Sequence, residues 1–119
     1  MKKILIVDDS LFMRQVLGNS LSKKYEIVEA DSGVKSLEQF KKEKPDLVLL
    51  DIIMPEGEEE GLTVLREIIK TNPEARVVMI TAVGHNVMIE ECKKLGAKDY
   101  IVKPFDEKLV VNTVEKYLL

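Results

Sequence analysis

The 119-residue sequence is short of cysteine, histidine, tryptophan and positive charge, and each shortage narrows what it can be. A lone Cys92 closes no internal disulfide and builds no cysteine-based zinc site. It therefore reads as a chain for a reducing compartment, expected to be the cytoplasm, with any metal held by oxygen ligands. Lys and Arg total 18 against 21 Asp and Glu, a net charge of -3 with the signs interspersed, so the electrostatic footprint of a direct nucleic-acid binder is missing. The apolar run Ile4 to Val7 is cut off at once by Asp8 and Asp9, which leaves no signal-peptide core. No stretch approaches membrane-spanning length, and no linker, repeat or low-complexity tract divides the chain. Residues 1–119 are expected to form one domain.

What is present is an ordinary soluble composition, 45% hydrophobic and 33% charged, arranged with a strict alternation of periods. Four apolar residues in a row occur as Ile4-Leu5-Ile6-Val7, Leu47-Val48-Leu49-Leu50 and Val77-Val78-Met79-Ile80, the pattern of strands covered on both faces. Tyr25-Glu26-Ile27-Val28 alternates and Tyr100-Ile101-Val102 is short, which suits strands nearer the sheet edges. Between them the spacing turns helical, through Met13, Val16, Leu17 and Leu21, Leu37 and Phe40, Leu62 to Ile69, and Met88, Cys92 and Leu95. A fifth stripe of Leu109, Val110, Thr113, Val114, Tyr117 and Leu118 follows, leaving Val111 off the core face and free to meet a partner. Ser10, Ser32, Asn86 and Asp106 are candidate N-caps, Gly96 a C-cap, and Pro45 and Pro73 follow helices they cannot continue. Alternating strand and helix implies an α/β fold, a doubly wound parallel sheet of five strands between five helices, with right-handed crossovers.

In such a sheet ligands bind outside the carboxyl ends of the strands. Those ends carry Asp8 and Asp9, Asp51, Thr81, and Lys103 before Pro104. Three carboxylates brought together repel, by about 4 kcal/mol per pair at ~4 Å and an effective dielectric of ~20, and a divalent cation relieves them. Hard oxygen ligands on an open site favour Mg2+, with Mn2+ able to substitute. Lys103 and Thr81 can then neutralise an incoming anion, and an aspartate held beside a metal can act as a nucleophile. Asp51, ending the third strand, is the candidate for that role, with Asp8 and Asp9 paired for metal.

These motifs, Val7-Asp8-Asp9-Ser10, Asp51-Ile52-Ile53-Met54-Pro55, Ile80-Thr81-Ala82, Gly96-Ala97-Lys98-Asp99-Tyr100 and Lys103-Pro104-Phe105, together resemble the receiver domain of two-component response regulators, of the single-domain CheY-like type. The resemblance implies a flavodoxin-like fold with strand order 2-1-3-4-5. It makes Asp51 the phosphoacceptor of a sensor histidine kinase, with magnesium on Asp9, Asp51 and the Ile53 backbone carbonyl and Asp8 helping through water. It assigns Thr81 and Lys103 to the phosphoryl oxygens, Tyr100 to the switch, and a cis peptide to Lys103-Pro104. The fourth helix, fifth strand and fifth helix, roughly Asn86 to Leu119, become the face for an output protein. The implied protein is no turnover enzyme but a monomer or weak phosphorylation-dependent dimer, with chemotaxis or motility control as the leading pathway. A phosphorelay intermediate and a receiver cut from a longer transcriptional regulator are the alternatives.

The sequence departs from that pattern in two places. After Pro55 the run Glu56-Gly57-Glu58-Glu59-Glu60 makes the loop about two residues longer than that pattern, and it is expected to be solvated, its charge complementing the next helix's N-terminus. Ile53 and Val83 are apolar where relatives often carry polar groups that set phosphoryl lifetime, so slow self-dephosphorylation is expected. His85, in a loop, and the stripe residues Met88 and Cys92 are assigned no chemistry. A small Mg2+-dependent phosphohydrolase is the rival from another class, but the chain has no room for a substrate-enclosing cap. An FMN carrier of the same fold is disfavoured because no glycine-rich loop follows the first strand.

Overall fold

The apolar runs become the interior of one parallel sheet. In a computed structural model that describes residues 1–119, β1 (Lys3–Val7), β2 (Glu26–Ala30), β3 (Leu47–Leu50), β4 (Val77–Thr81) and β5 (Asp99–Val102) stand in the order β2-β1-β3-β4-β5. They alternate with α1 (Leu11–Leu21), α2 (Gly33–Glu43), α3 (Glu60–Thr71), α4 (Asn86–Leu95) and α5 (Glu107–Leu118). Every residue of β3 and β4 is buried, because helices cover both sheet faces. Leu5, Val7, Val48, Leu50, Val77 and Met79 pack with Phe40, Leu65, Ile68 and Cys92 on one side. Ile4, Ile6, Leu47, Leu49, Val78 and Ile80 pack with Leu17, Leu21, Val110 and Val114 on the other. Each fully buried aliphatic side chain stabilises the fold by about 1.5–3 kcal/mol, so truncating Leu65 or Ile68 to Ala costs about 2–5 kcal/mol.

Local chemistry sets the helix starts. The side chains of Ser10, Ser32 and Asp106 accept from the backbone N–H of Met13, Lys35 and Lys108. Asn86 does not cap. It is already helical, and His85 holds the cap position through its backbone carbonyl, with no side-chain bond. Gly96 ends α4 at φ 116, a conformation that favours glycine, and Lys44 takes the same left-handed role before Pro45.

Three sequence expectations need adjusting. Strand β2 starts at Glu26 and runs to Ala30, while Tyr25 is buried in the turn before it; β5 starts one residue earlier than its apolar run, at Asp99. On α5, Leu109 is 49% exposed whereas Val111 packs partly buried against the core. The buried residues Val110, Val114 and Leu118 recur every four positions, so the stripe advances around the helix toward Val111 and away from Leu109.

Candidate functional site

Sheet register brings the predicted residues to one level. Val7 pairs with Leu50, and the next N–H along, that of Asp51, donates to the carbonyl of Val7 at 3.0 Å. Asp8 therefore sits beside Asp51. Thr81 pairs with Val102, and the N–H of Lys103 donates to the Thr81 carbonyl at 2.8 Å, which puts Lys103 at the same edge. Oxygens of Asp8, Asp9 and Asp51 lie within 4.8 Å of one another, Asp8 and Asp51 buried and Asp9 exposed. The peptide between Lys103 and Pro104 is cis.

Lys103 spans the cluster. Its Nζ donates to Asp8 Oδ2 at 2.7 Å and to Asp51 Oδ2 at 3.0 Å. Burial pulls the Lys103 ammonium downward, but hydrogen bonds to the two carboxylates and their charges outweigh it, and its pKa is raised. Asp8 shows the opposite balance. Its burial raises the carboxyl pKa despite the Lys103 and Ser10 hydrogen bonds that work against the rise. One ammonium faces three carboxylates, so the cluster keeps an excess of negative charge that a hard divalent cation would neutralise. The backbone also leaves an oxygen free for such an ion. The Ile52 carbonyl accepts from Gly61 N–H at 2.7 Å, whereas the Ile53 carbonyl accepts no protein hydrogen bond. These residues fit Mg2+: Asp9, Asp51 and the Ile53 carbonyl as ligands, with Asp8 one step away under Lys103.

Thr81 is fully buried, and its Oγ1 accepts from Val83 N–H at 3.3 Å rather than touching Asp51 or Lys103. The partly buried Tyr100 donates its hydroxyl to the Val83 carbonyl. Its phenol is pushed up to about 12, chiefly by burial and then by neighbouring negative charge. Thr81 and Tyr100 thus meet on one loop, residues 82–85, although neither reaches the carboxylates. Between that loop and the β3–α3 loop lies an open cleft of about 340 Å3, whose lining includes Ile52, Ile53, Val83, Met88 and His85. His85 is exposed, and Cys92 is fully buried with its thiol pushed up to about 11 by burial and then Glu91, which leaves it inert at neutral pH.

Two residues at the site were assigned no role from the sequence, and a third, Glu56, was expected to complement the helix that follows it. Arg14 donates from Nη1 to the Asp8 carbonyl at 2.7 Å and from Nε to Glu29 Oε1 at 2.8 Å, bracing the acidic pair from behind. Its place one turn into the helix after Asp9 was the available signal. Gly61 packs on the backbone just after β3, where an added Cβ would stand 2.2 Å from the Asp51 carbonyl oxygen. Glu56 does not serve the next helix. Its two oxygens accept from Gly33 and Val34 N–H, both at 3.0 Å, at the start of α2, while Glu60 occupies the first turn of α3.

Comparisons with known proteins agree on one family. Residues 4–115 match the family described as response regulator receiver domain. The chain is 43% identical to the chemotaxis protein CheY of Thermotoga maritima over 97% of its own length and 96% of the relative's. It is 42% identical to the chemotaxis protein CheY of Bacillus subtilis over 98% and 97%. Among solved structures it is similar, at TM-score 0.91 and 34% identity over 99% of this chain and 90% of that one, to one from a CheX-CheY-BeF3-Mg+2 complex of Borrelia burgdorferi.

Proposed function

The chain belongs to the response regulator receiver family, and we propose that it takes a phosphoryl group from a histidine kinase onto Asp51 with Mg2+ and signals by phosphorylation-dependent protein binding. The observation that carries this reading is the convergence from three strand ends of Asp8, Asp9 and Asp51, with oxygens within 4.8 Å of one another, and of Lys103, which hydrogen-bonds Asp8 and Asp51. A carboxylate oxygen of Asp51 attacks phosphorus, the bond from phosphorus to the kinase histidine breaks, and its electron pair returns to the imidazole. Asp9, Asp51 and the Ile53 carbonyl would hold the metal, which lowers the repulsion between the carboxylate and the incoming phosphoryl oxygens. Lys103 already bonds Asp51 and supplies a second positive charge on the other side.

Phosphorylation adds charge and acceptor oxygens where Thr81 lies buried one strand away. Thr81 turning toward them gives up its bond to Val83 N–H, and Tyr100, bonded to the same residue's carbonyl, follows. The phosphoryl group biases two arrangements of this loop, and a partner responds only as far as it binds them differently. The output face is α4, β5 and α5. The exposed apolar residues there are Val87, Val102 and Leu109, and they replace Val111 as the candidate contacts. Similarity to relatives named as chemotaxis proteins supports chemotaxis or motility as the pathway.

Incubation with acetyl phosphate and Mg2+, read by intact mass, tests this assignment. A single phosphoryl adduct is expected, absent in Asp51→Asn and without metal. An adduct that persists in Asp51→Asn would move the acceptor elsewhere.

A further inference from the structure

One glutamate of the acidic run after Pro55 is put to structural use. We propose that Glu56 is a positioning residue for the metal site, a strap that ties the acceptor loop to the N-terminus of α2 and so holds the Ile53 carbonyl in place. This rests on the phosphoreceiver reading given above.

The first N–H groups of a helix have no partner within it. In α2 the Lys35 N–H is met locally by Ser32 Oγ, at 3.2 Å. Those of Gly33 and Val34 are met across the molecule, one by each oxygen of Glu56. A carboxylate bridging two consecutive N–H groups at the positive end of a helix makes charge-assisted bonds, and they hold the Glu56 carboxyl below the usual carboxylate range.

The strap reaches the metal site along a short, closed path. Met54 N–H donates to the Gly57 carbonyl at 3.1 Å and Gly57 N–H returns to the Met54 carbonyl at 3.0 Å, so Glu56 sits inside a turn locked at both ends. Met54 is buried at 3% exposure and Pro55 fixes its own φ. On the near side, Ile53 N–H donates to Asp51 Oδ1 at 3.3 Å. Ile53 is thus held between Asp51 and the closed turn, and the turn is held by α2. Glu58 and Glu59, in the same acidic run, are exposed and form no ion pair or hydrogen bond through their side chains, which makes them internal controls.

Linkage gives the idea a two-way test. If fastening the strap raises Mg2+ affinity, Mg2+ must tighten the strap by the same factor. In the full chain, Mg2+ affinity is measured by calorimetry, and amide exchange at Gly33 and Val34 by NMR, with and without Mg2+. Wild type, Glu56→Ala, Glu56→Gln and Glu58→Ala are compared. Expected is a Mg2+ dissociation constant raised about threefold to tenfold in Glu56→Ala, a smaller rise in Glu56→Gln, which keeps one acceptor, and none in Glu58→Ala. In wild type, Mg2+ should slow exchange at Gly33 and Val34, and in Glu56→Ala it should not. A Glu56→Ala protein with wild-type Mg2+ affinity and a lower melting temperature would reduce Glu56 to a helix cap and overturn the strap alone. Failure of wild type to bind Mg2+ would overturn both the strap and the reading beneath it.

Discussion

The loop from β3 to α3 and the loop from β4 to α4 flank the same carboxylate, yet they are held in different ways. The first is fastened by the paired bonds between Met54 and Gly57, by Glu56 on α2 and by Gly61 N–H on the Ile52 carbonyl. The second, residues 82–85, is tied to α4 at its far end by the His85 carbonyl, but between its ends it is held only by a side-chain bond from Val83 N–H to Thr81 and by one phenol, with Ala82, Gly84 and His85 exposed. A metal ligand set needs fixed oxygens, because Mg2+ demands near-ideal geometry. A switch needs two arrangements of similar energy. Under the proposed function, the difference in fastening would divide the labour: one loop keeping the metal site, the other reporting on it.

The contrast is broken most severely at Gly61. An added Cβ there meets the Asp51 carbonyl oxygen at 2.2 Å and the Ile52 Cα at 2.4 Å, both backbone atoms that cannot swing aside. Gly61→Ala is expected to lower unfolding free energy by about 2–3 kcal/mol in urea titrations, overriding the about 1 kcal/mol that alanine gains in a helix. Gly57→Ala, on the same loop but with nothing within 4 Å of its Cβ position, is expected to be near neutral. Equal effects would mean that the loop yields as a whole.

The sheet and its charged edge were legible in the sequence because both rest on local signals. Unbroken apolar runs mark buried strands, and the residues that end them fall at one edge once the sheet is parallel. Val7 and Leu50 pairing is what turns Asp8 and Asp51 from two motifs into one site. The bracing was less legible. Glu56 meets Gly33 and Val34 from 23 and 22 residues away, and no periodicity links an acidic run to a distant helix start. The same holds for Arg14 on the Asp8 carbonyl. On α5 the error was angular: Leu109 and Val111 both flank Val110, and the advance of the buried stripe decides between them.

The next effects concern the loop of residues 82–85. Tyr100→Phe removes the hydroxyl that holds the Val83 carbonyl, and is expected to cost about 1 kcal/mol, since the carbonyl can turn to water. A loss that large in beryllofluoride-bound protein only would place this bond in the active arrangement alone. Placing a polar group on each loop probes the chemistry more gently. Ile53→Asn and Val83→Glu can orient an attacking water, which the apolar originals cannot. Each is expected to shorten the phosphoryl lifetime several-fold in mass-resolved decay, and a lifetime unchanged in both would remove these positions from control of hydrolysis.

The smallest effects come from pH, and they separate the loops by sign. Glu56 has a carboxyl held below its ordinary 4.5 by the Gly33 and Val34 N–H bonds. Its stabilisation is present above the ordinary value and fades as pH falls through the depressed one, so wild type and Glu56→Gln should converge in acid. Tyr100 runs the other way. Its phenol is raised from 10.0 to about 12, chiefly by burial, so the unfolded chain sheds that proton first. The stability tied to the neutral phenol is complete below 10.0 and is lost as pH climbs toward about 12. Cys92 adds a parallel loss from 9.0 to about 11, by burial and then Glu91. Urea midpoints followed through alkaline pH should fall less steeply in Tyr100→Phe than in wild type. Identical slopes would mean that the phenol is already open to water in solution rather than buried against the second loop.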